Sequence, residues 1–204
     1  MGRVIFLLEE RSMKVLLDGL LPRLIPNLQF LCLPHEGKQD LEKSIPRKLR
    51  AWREPGMRFV VVCDNDGGDC HILKRRLAGM CDGAGRRDTL IRIACQELEA
   101  WYLGEPSALA NAYGQPGLST VARKARYRDP DAVQKPSARL ARLAPRFQKM
   151  SAARLMATRL SEESNRSPSF RAFVAAVRRI ADDLDGRQTH AAGSQADLFD
   201  VPPE

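Results

Sequence analysis

Four short apolar runs punctuate the first half of the chain: Val4 to Leu8, Leu28 to Leu33, Phe59 to Cys63 and Leu90 to Cys95. Each is rich in β-branched or aromatic residues and none alternates cleanly. That is the pattern of strands buried on both faces of a parallel sheet. Helical patterns separate the runs. Ser12 is placed to cap a helix through Val15, Leu16, Leu20 and Leu21 that ends near Pro22. A second helix spans about Asp40 to Trp52, begun or interrupted around Pro46. A third follows Asp69, with Ile72, Leu73, Leu77 and Met80 on one face, and a fourth runs from about Gln96 to Leu103. The order βαβαβαβα predicts a doubly wound α/β domain.

Beyond Gly104 the pattern turns helical and basic. Leu140, Leu143 and Phe147 recur at helical spacing with arginines between them, and Ser151 opens a stretch through Leu155 and Leu160. Ser167-Pro168 is a cap and first-turn pair for an amphipathic stripe of Phe170, Phe173, Val174, Val177, Ile180 and Leu184. From Gly186 the chain is rich in Gly, Ala, Gln, Ser and Pro. The expected organisation is a core over residues 1–105, a basic helical extension packed on it over 106–185, and a disordered tail over 186–204.

Composition narrows the class. With 44% hydrophobic and 28% charged residues, the 204-residue chain suits a soluble globular protein with a sizeable core. No apolar run approaches the roughly 20 residues of a membrane span, and the run after Met1 is too short for a signal peptide. The expected compartment is the cytoplasm. Five cysteines without a Cys-x-x-Cys pair argue against a disulfide framework or a structural zinc site.

The net charge of +8 is concentrated. Residues 121–150 carry nine basic side chains, among them Arg123, Lys124, Arg126, Arg139, Arg142, Arg146 and Lys149, against Asp129 and Asp131. Such a segment suits a polyanionic partner, nucleic acid first, held through phosphates without base readout. A solvated arginine-rich helix face has the same composition.

Carboxylates fall where an α/β sheet places its chemistry. Glu9 and Glu10 follow the first strand, Asp64, Asp66 and Asp69 the third, and Glu97 and Glu99 the fourth. The carboxyl ends of parallel strands share one edge, so three acidic clusters converge there. Carboxylates packed together call for a cation, and hard oxygen ligands select Mg²⁺ or Mn²⁺. Lys38, after the second strand, sits on the same edge and is a candidate phosphate contact. Each cluster also has a plainer reading: Asp-x-Asp-Gly-Gly makes a good turn, and the glutamates suit solvated loops.

A glutamate after the first strand with an Asp-x-Asp after the third resembles the Toprim fold of topoisomerases, primases and overcoming-lysogenization-defect (OLD) nucleases. His35-Glu36-Gly37-Lys38-Gln39-Asp40-Leu41, Ile45-Pro46-Arg47-Lys48-Leu49 and Glu97-Leu98-Glu99-Ala100-Trp101-Tyr102-Leu103-Gly104 are similar, more closely, to domain-of-unknown-function family 4276. That resemblance covers about residues 3–184. It implies a Toprim-like bacterial protein that accompanies an ATPase, in an antiphage or DNA-maintenance setting. The Toprim glutamate would be Glu10, or Glu9 beside it, and the Asp-x-Asp pair Asp64 and Asp66. Asp69, Glu97 and Glu99 are further metal candidates. Many Toprim proteins place Gly after the glutamate, whereas Arg11 stands here.

The expected activity is Mg²⁺- or Mn²⁺-dependent hydrolysis of nucleic-acid phosphodiesters, with Glu10, Asp64 and Asp66 at its centre. Two alternatives stay open: a non-enzymatic Toprim-like partner of an ATPase, and phosphoryl transfer on nucleotides. In the tail, Gln195-Ala196-Asp197-Leu198-Phe199 resembles the peptide by which bacterial polymerases grip the sliding clamp, with Gln195, Leu198 and Phe199 as the contacting residues.

Overall fold

The computed structural model describes residues 2–196, with side chains described as far as residue 186. Four strands, β1 (Arg3–Leu8), β2 (Phe30–Pro34), β3 (Met57–Asp64) and β4 (Leu90–Ala94), form one parallel sheet in the order β2-β1-β3-β4. Registers pair Phe6 with Cys32 and Val60, and Cys63 with Ile93. Successive side chains of a strand point to opposite faces. Val4, Phe6, Leu8, Val60 and Val62 therefore enter one apolar cluster, and Ile5, Leu7, Phe59, Val61 and Cys63 another. Burial on both faces is what the unalternating apolar runs anticipate.

Helix α1 (Arg11–Leu24) covers the first face, while α2 (Lys38–Ala51) and α3 (Cys70–Asp82) cover the second. Then come α4 (Glu99–Leu103) and α5 (Pro106–Tyr113), three 3-10 segments (Pro116–Arg123, Ala125–Tyr127, Pro130–Ala132), α6 (Pro136–Leu143), α7 (Lys149–Ala157) and α8 (Pro168–Ala196). The extension shares the first cluster with the sheet: Leu140, Met156, Phe170 and Phe173 are buried in it beside Phe6 and Trp101. The Phe6 and Phe173 rings are 6.3 Å apart, and Trp101 meets Phe170 and Phe173 at 5.4 and 5.1 Å. Such aromatic pairs contribute about 0.5–1.5 kcal/mol each beyond their buried area.

Polar bonds position these helices on the core. Ser167 accepts from the Phe170 amide at 3.2 Å, with Pro168 in the first turn, as the sequence anticipates. Asp131 adds a second cap by accepting from the Ser169 amide at 2.7 Å. Trp101 Nε1 donates to Ser169 Oγ at 2.9 Å, and its carbonyl accepts from Asn165 at 2.8 Å. Gly104 permits that approach, since a Cβ there would collide with the Asn165 side chain.

Several boundaries differ from the sequence expectation. α1 begins at Arg11 with Glu10 in the cap position, and Ser12 is inside the first turn, donating to Glu10 Oε1. α1 ends at Leu24, near Pro22 as expected though just beyond it, while Pro46 lies within α2 and neither begins nor interrupts it. Buried Leu20 and Leu21 in one helix, and Ile45 and Leu49 in the other, keep each continuous despite one lost backbone bond. α4 begins at Glu99, because Gln96 has a left-handed backbone (φ 67°) that no α-helix admits. α8 continues past Gly186, where the sequence suggests a disordered tail. A single Gly costs a helix only about 1 kcal/mol. Leu198 and Phe199 lie outside the described residues, as does the side chain of Gln195. Among the described residues no helix is long and apolar enough to cross a membrane.

Candidate metal and phosphate site

In this strand order the connections diverge between β1 and β3, the switch point where open α/β sheets bind ligands. Glu9 and Glu10 leave β1 there, and Asp64 ends β3 beside them. Glu9 Oε2 accepts from the Asp64 amide at 3.0 Å and so ties the two strand ends together. Burial raises the Glu9 carboxyl pKa; the charges of Asp66 and Glu10 add to this against the Asp64 amide bond and Lys38. Glu9 thus clamps the strand ends beside the acidic centre, which Glu10 joins through Lys149.

Three carboxylates and one ammonium form that centre. Asp64 is 4% exposed and Glu99 fully buried. Asp64 Oδ1 and both carboxylate oxygens of Glu99 have no hydrogen-bond partner in the protein. Burial, reinforced by Glu9, Glu10 and Glu99, holds the Asp64 carboxyl well above the usual range. Burial lifts Glu99 to about 7, opposed by Lys149 and aided by Glu10. Lys149, the first residue of α7, reaches Glu10 Oε2 at 3.2 Å. Burial works against its charge, but Glu99, Glu10 and Asp64 outweigh it and raise its pKa.

The sequence places Lys149 with the nucleic-acid contacts of the basic segment. The structure makes it the counterion of the acidic centre. Sequence reasoning also passes over Tyr102 and Tyr113, whose buried hydroxyls lack a protein partner. Burial raises the Tyr102 phenol well above its ordinary pKa, with Glu99, Glu10 and Asp64 adding to it. A signal exists, because Glu99 and Tyr102 are three apart on a helix and share a face.

The other acidic candidates are engaged elsewhere. Asp66 has a left-handed backbone (φ 49°) and an exposed carboxylate 2.5 Å from Lys38 Nζ. Lys38, expected on a phosphate, therefore already has an anionic partner. Asp69 caps α3, accepting from the His71 and Ile72 amides at 2.7 and 3.0 Å. Glu97 accepts from the Ser137 amide at 2.7 Å and caps α6 from a distance. Arg11, in the place of the usual glycine, starts α1 and pairs with Glu36 at 2.7 Å.

A cavity of about 440 Å³ opens at the loops that follow β3 and β4, lined by Asp66, Gly67, Gln96, Glu97, Gln134 and Lys135. Asp66, Gln96 and Lys135 are the three non-glycine residues with positive φ among the described residues, and all three line it. Gln134 and Lys135 also line an adjoining cavity of about 250 Å³ with Arg139 and Arg142. Arg146 does not join that wall; its guanidinium donates to the Tyr113 carbonyl at 3.2 Å. Arg123 and Arg126 are exposed on the first two 3-10 segments, and Lys124 is exposed between them.

A family model described as a domain of unknown function, DUF4276, matches residues 8–178. The chain belongs to the DUF4276 family. Its structure is similar to the C-terminal region of the OLD protein of Xanthomonas campestris pv. campestris, with a TM-score of 0.56 and 14% identity. The match covers 93% of this chain and 99% of that one. At that identity the likeness speaks for the fold, a Toprim-like doubly wound sheet. No curated protein matches the chain.

Among the described residues no group of three or more His, Cys, Asp or Glu side chains is arranged to hold a metal ion as it stands. The donor chemistry nonetheless fits Mg²⁺ or Mn²⁺. The oxygens are hard, three of them are buried without partners, and burial holds the Asp64 and Glu99 carboxyls back from ionising despite Lys149.

Proposed function

We propose that this DUF4276 protein is a Mg²⁺- or Mn²⁺-dependent hydrolase of nucleic-acid phosphodiesters that works with an ATPase partner. The observation that carries the reading is the trio of unpartnered, buried oxygens on Asp64 and Glu99, next to Glu10 at the switch point of the sheet. Asp64, Glu10 and Glu99 would hold the ion. Its chemistry would be to activate a water and to neutralise charge on the phosphoryl group. Glu9 positions Asp64 by holding its amide. Lys149 balances the carboxylates and is placed to follow charge as it moves onto a phosphate. Arg139 and Arg142 line the cavity wall where a nucleic-acid backbone would run.

The test pairs a chemical assay with a binding assay. Mn²⁺ is titrated against the full chain while its melting temperature is followed, and cleavage of plasmid and single-stranded substrates is measured with and without a neighbouring ATPase. A ligand for the folded state raises the melting temperature. Asp64→Asn is expected to abolish both the rise and the cleavage, losing more than the roughly 10–100-fold that an outer-shell partner costs. If Asp64→Asn keeps the rise, the ion lies elsewhere. If it loses the rise yet keeps its function in cells, the Toprim-like domain serves as a regulator of its partner.

A further inference from the structure

The Cys70 and Cys95 sulfurs lie 3.7 Å apart. Both side chains are partly exposed, whereas Cys32, Cys63 and Cys81 are buried. Cys70 is the first residue of α3, and Cys95 directly follows β4. They stand at the feet of two neighbouring loops, one carrying Asp66 and the other Gln96 and Glu97. The loops are already in register: the Asp66 amide donates to the Gln96 carbonyl at 2.9 Å, and the Gln96 amide donates to Asn65 Oδ1. A disulfide needs sulfurs about 2.05 Å apart. The two sulfurs already stand in van der Waals contact at two partly exposed positions, so bond formation asks only for their further approach.

We propose that Cys70 and Cys95 are a dithiol site that small-molecule disulfides oxidise reversibly to an intramolecular disulfide, fastening the β3–α3 loop to the β4–α4 loop. The chemistry balances without a metal. One cysteine thiolate attacks a sulfur of the small disulfide and releases one small thiol. The second cysteine then attacks the mixed disulfide, closes the Cys70–Cys95 bond and releases the other small thiol. The protein loses two electrons and two protons, and the small disulfide gains both. Selectivity follows from access, because the three remaining cysteines are shielded in the core.

The test equilibrates the full chain in glutathione buffers of graded redox ratio, quenches with acid, alkylates after unfolding and maps the peptides by mass spectrometry. The expected result is a fall from five alkylated thiols to three, a linked peptide containing Cys70 and Cys95, and full reversal by dithiothreitol. Cys95→Ser is expected to stop at a glutathione adduct on Cys70. Hydrogen exchange of residues 64–70 and 95–98 is expected to slow in the oxidised protein. Five thiols surviving the most oxidising buffer would overturn the proposal, as would a link between any other pair or a lasting glutathione adduct on unmutated Cys70. Since these readouts are independent of cleavage and of added ions, the outcome stands whether or not the hydrolase reading holds.

Discussion

Asp64 and Asp66 stand two residues apart and occupy different electrostatic worlds. Asp64 is buried, carries an oxygen with no protein partner and is pushed toward its neutral form. Asp66 is exposed and already paired with Lys38. The same division runs through the whole acidic edge. Glu10 and Glu99 share the inner group with Asp64, around Lys149, whereas Asp69 and Glu97 are outer residues that cap helices. Acidic composition alone does not separate a site from its scaffold. What separates them is whether the protein itself has satisfied the charge.

The comparison can be broken most forcefully at Lys149. Lys149→Gln would leave Asp64, Glu10 and Glu99 facing one another without their cation. Removing one partner of a fully buried ion pair costs about 3–5 kcal/mol. The Lys149 side chain is 44% exposed, so solvent screening makes the expected loss smaller. The metal-free variant should melt several degrees lower and recover more than the parent when Mn²⁺ is added. Calorimetry with and without the ion checks this, and identical curves would make Lys149 an ordinary surface residue.

Glu99 gives the next effect. Its folded pKa, raised to about 7 chiefly by burial, exceeds the ordinary 4.5, so the folded state holds the proton more tightly. The resulting stability is complete below the unfolded value and is lost as pH rises to about 7. The difference corresponds to about 3 kcal/mol. Glu99→Gln, which stays neutral, should therefore stabilise the metal-free protein at pH 8 and change little at pH 4. Denaturant titrations at the two pH values decide, and equal effects at both would place Glu99 in the outer group.

The basic residues divide in the same way. Arg139→Gln with Arg142→Gln should flatten the salt dependence of nucleic-acid binding by roughly one unit of slope for each phosphate left without its arginine. Arg146→Gln should change it less, since that guanidinium holds the Tyr113 carbonyl. Fluorescence anisotropy at graded salt distinguishes the two, and equal slopes would return all three to a common solvated face.

The smallest effect belongs to Asp69. The Ile72 and His71 amides hold its carboxyl below the ordinary range, so its contribution exists above the unfolded pKa and disappears as pH falls through the folded one. Asp69→Ala should lower the melting temperature slightly at pH 7, not at all in strong acid, and leave Mn²⁺ binding unchanged. A loss of Mn²⁺ binding would move Asp69 into the inner group.

The sheet was legible because strands buried on both faces need continuous apolar runs, and Val4–Leu8 and Phe59–Cys63 are such runs. The acidic edge was legible because parallel topology sends every strand's end to one side. The partition within it was hidden. Nothing local distinguishes Asp64 from Asp66, and the cation that defines the centre arrives from Lys149, far along the chain on α7. Pro46 misled for the same reason: tertiary burial of neighbouring Ile45 and Leu49 outweighed a local break signal, whereas α1 does end near Pro22, at Leu24. Glu97 and Asp131 cap helices they do not belong to, a service that no local pattern announces.

The packing of Phe6 against Phe173 has a consequence for synthesis. β1 lies in the middle of the sheet, so its neighbour β3 must be made before it is paired on both sides, and α8 must follow before the cover that α1 begins on that face is complete. At a translation rate of about 5–20 residues per second, Phe6 and its neighbours wait on the order of ten seconds or more for that cover. During that interval an apolar strand with open hydrogen-bonding edges is exposed to any chaperone or passing chain. The nascent polypeptide therefore passes through a hazard of misassembly before the helix that completes this cover has left the ribosome.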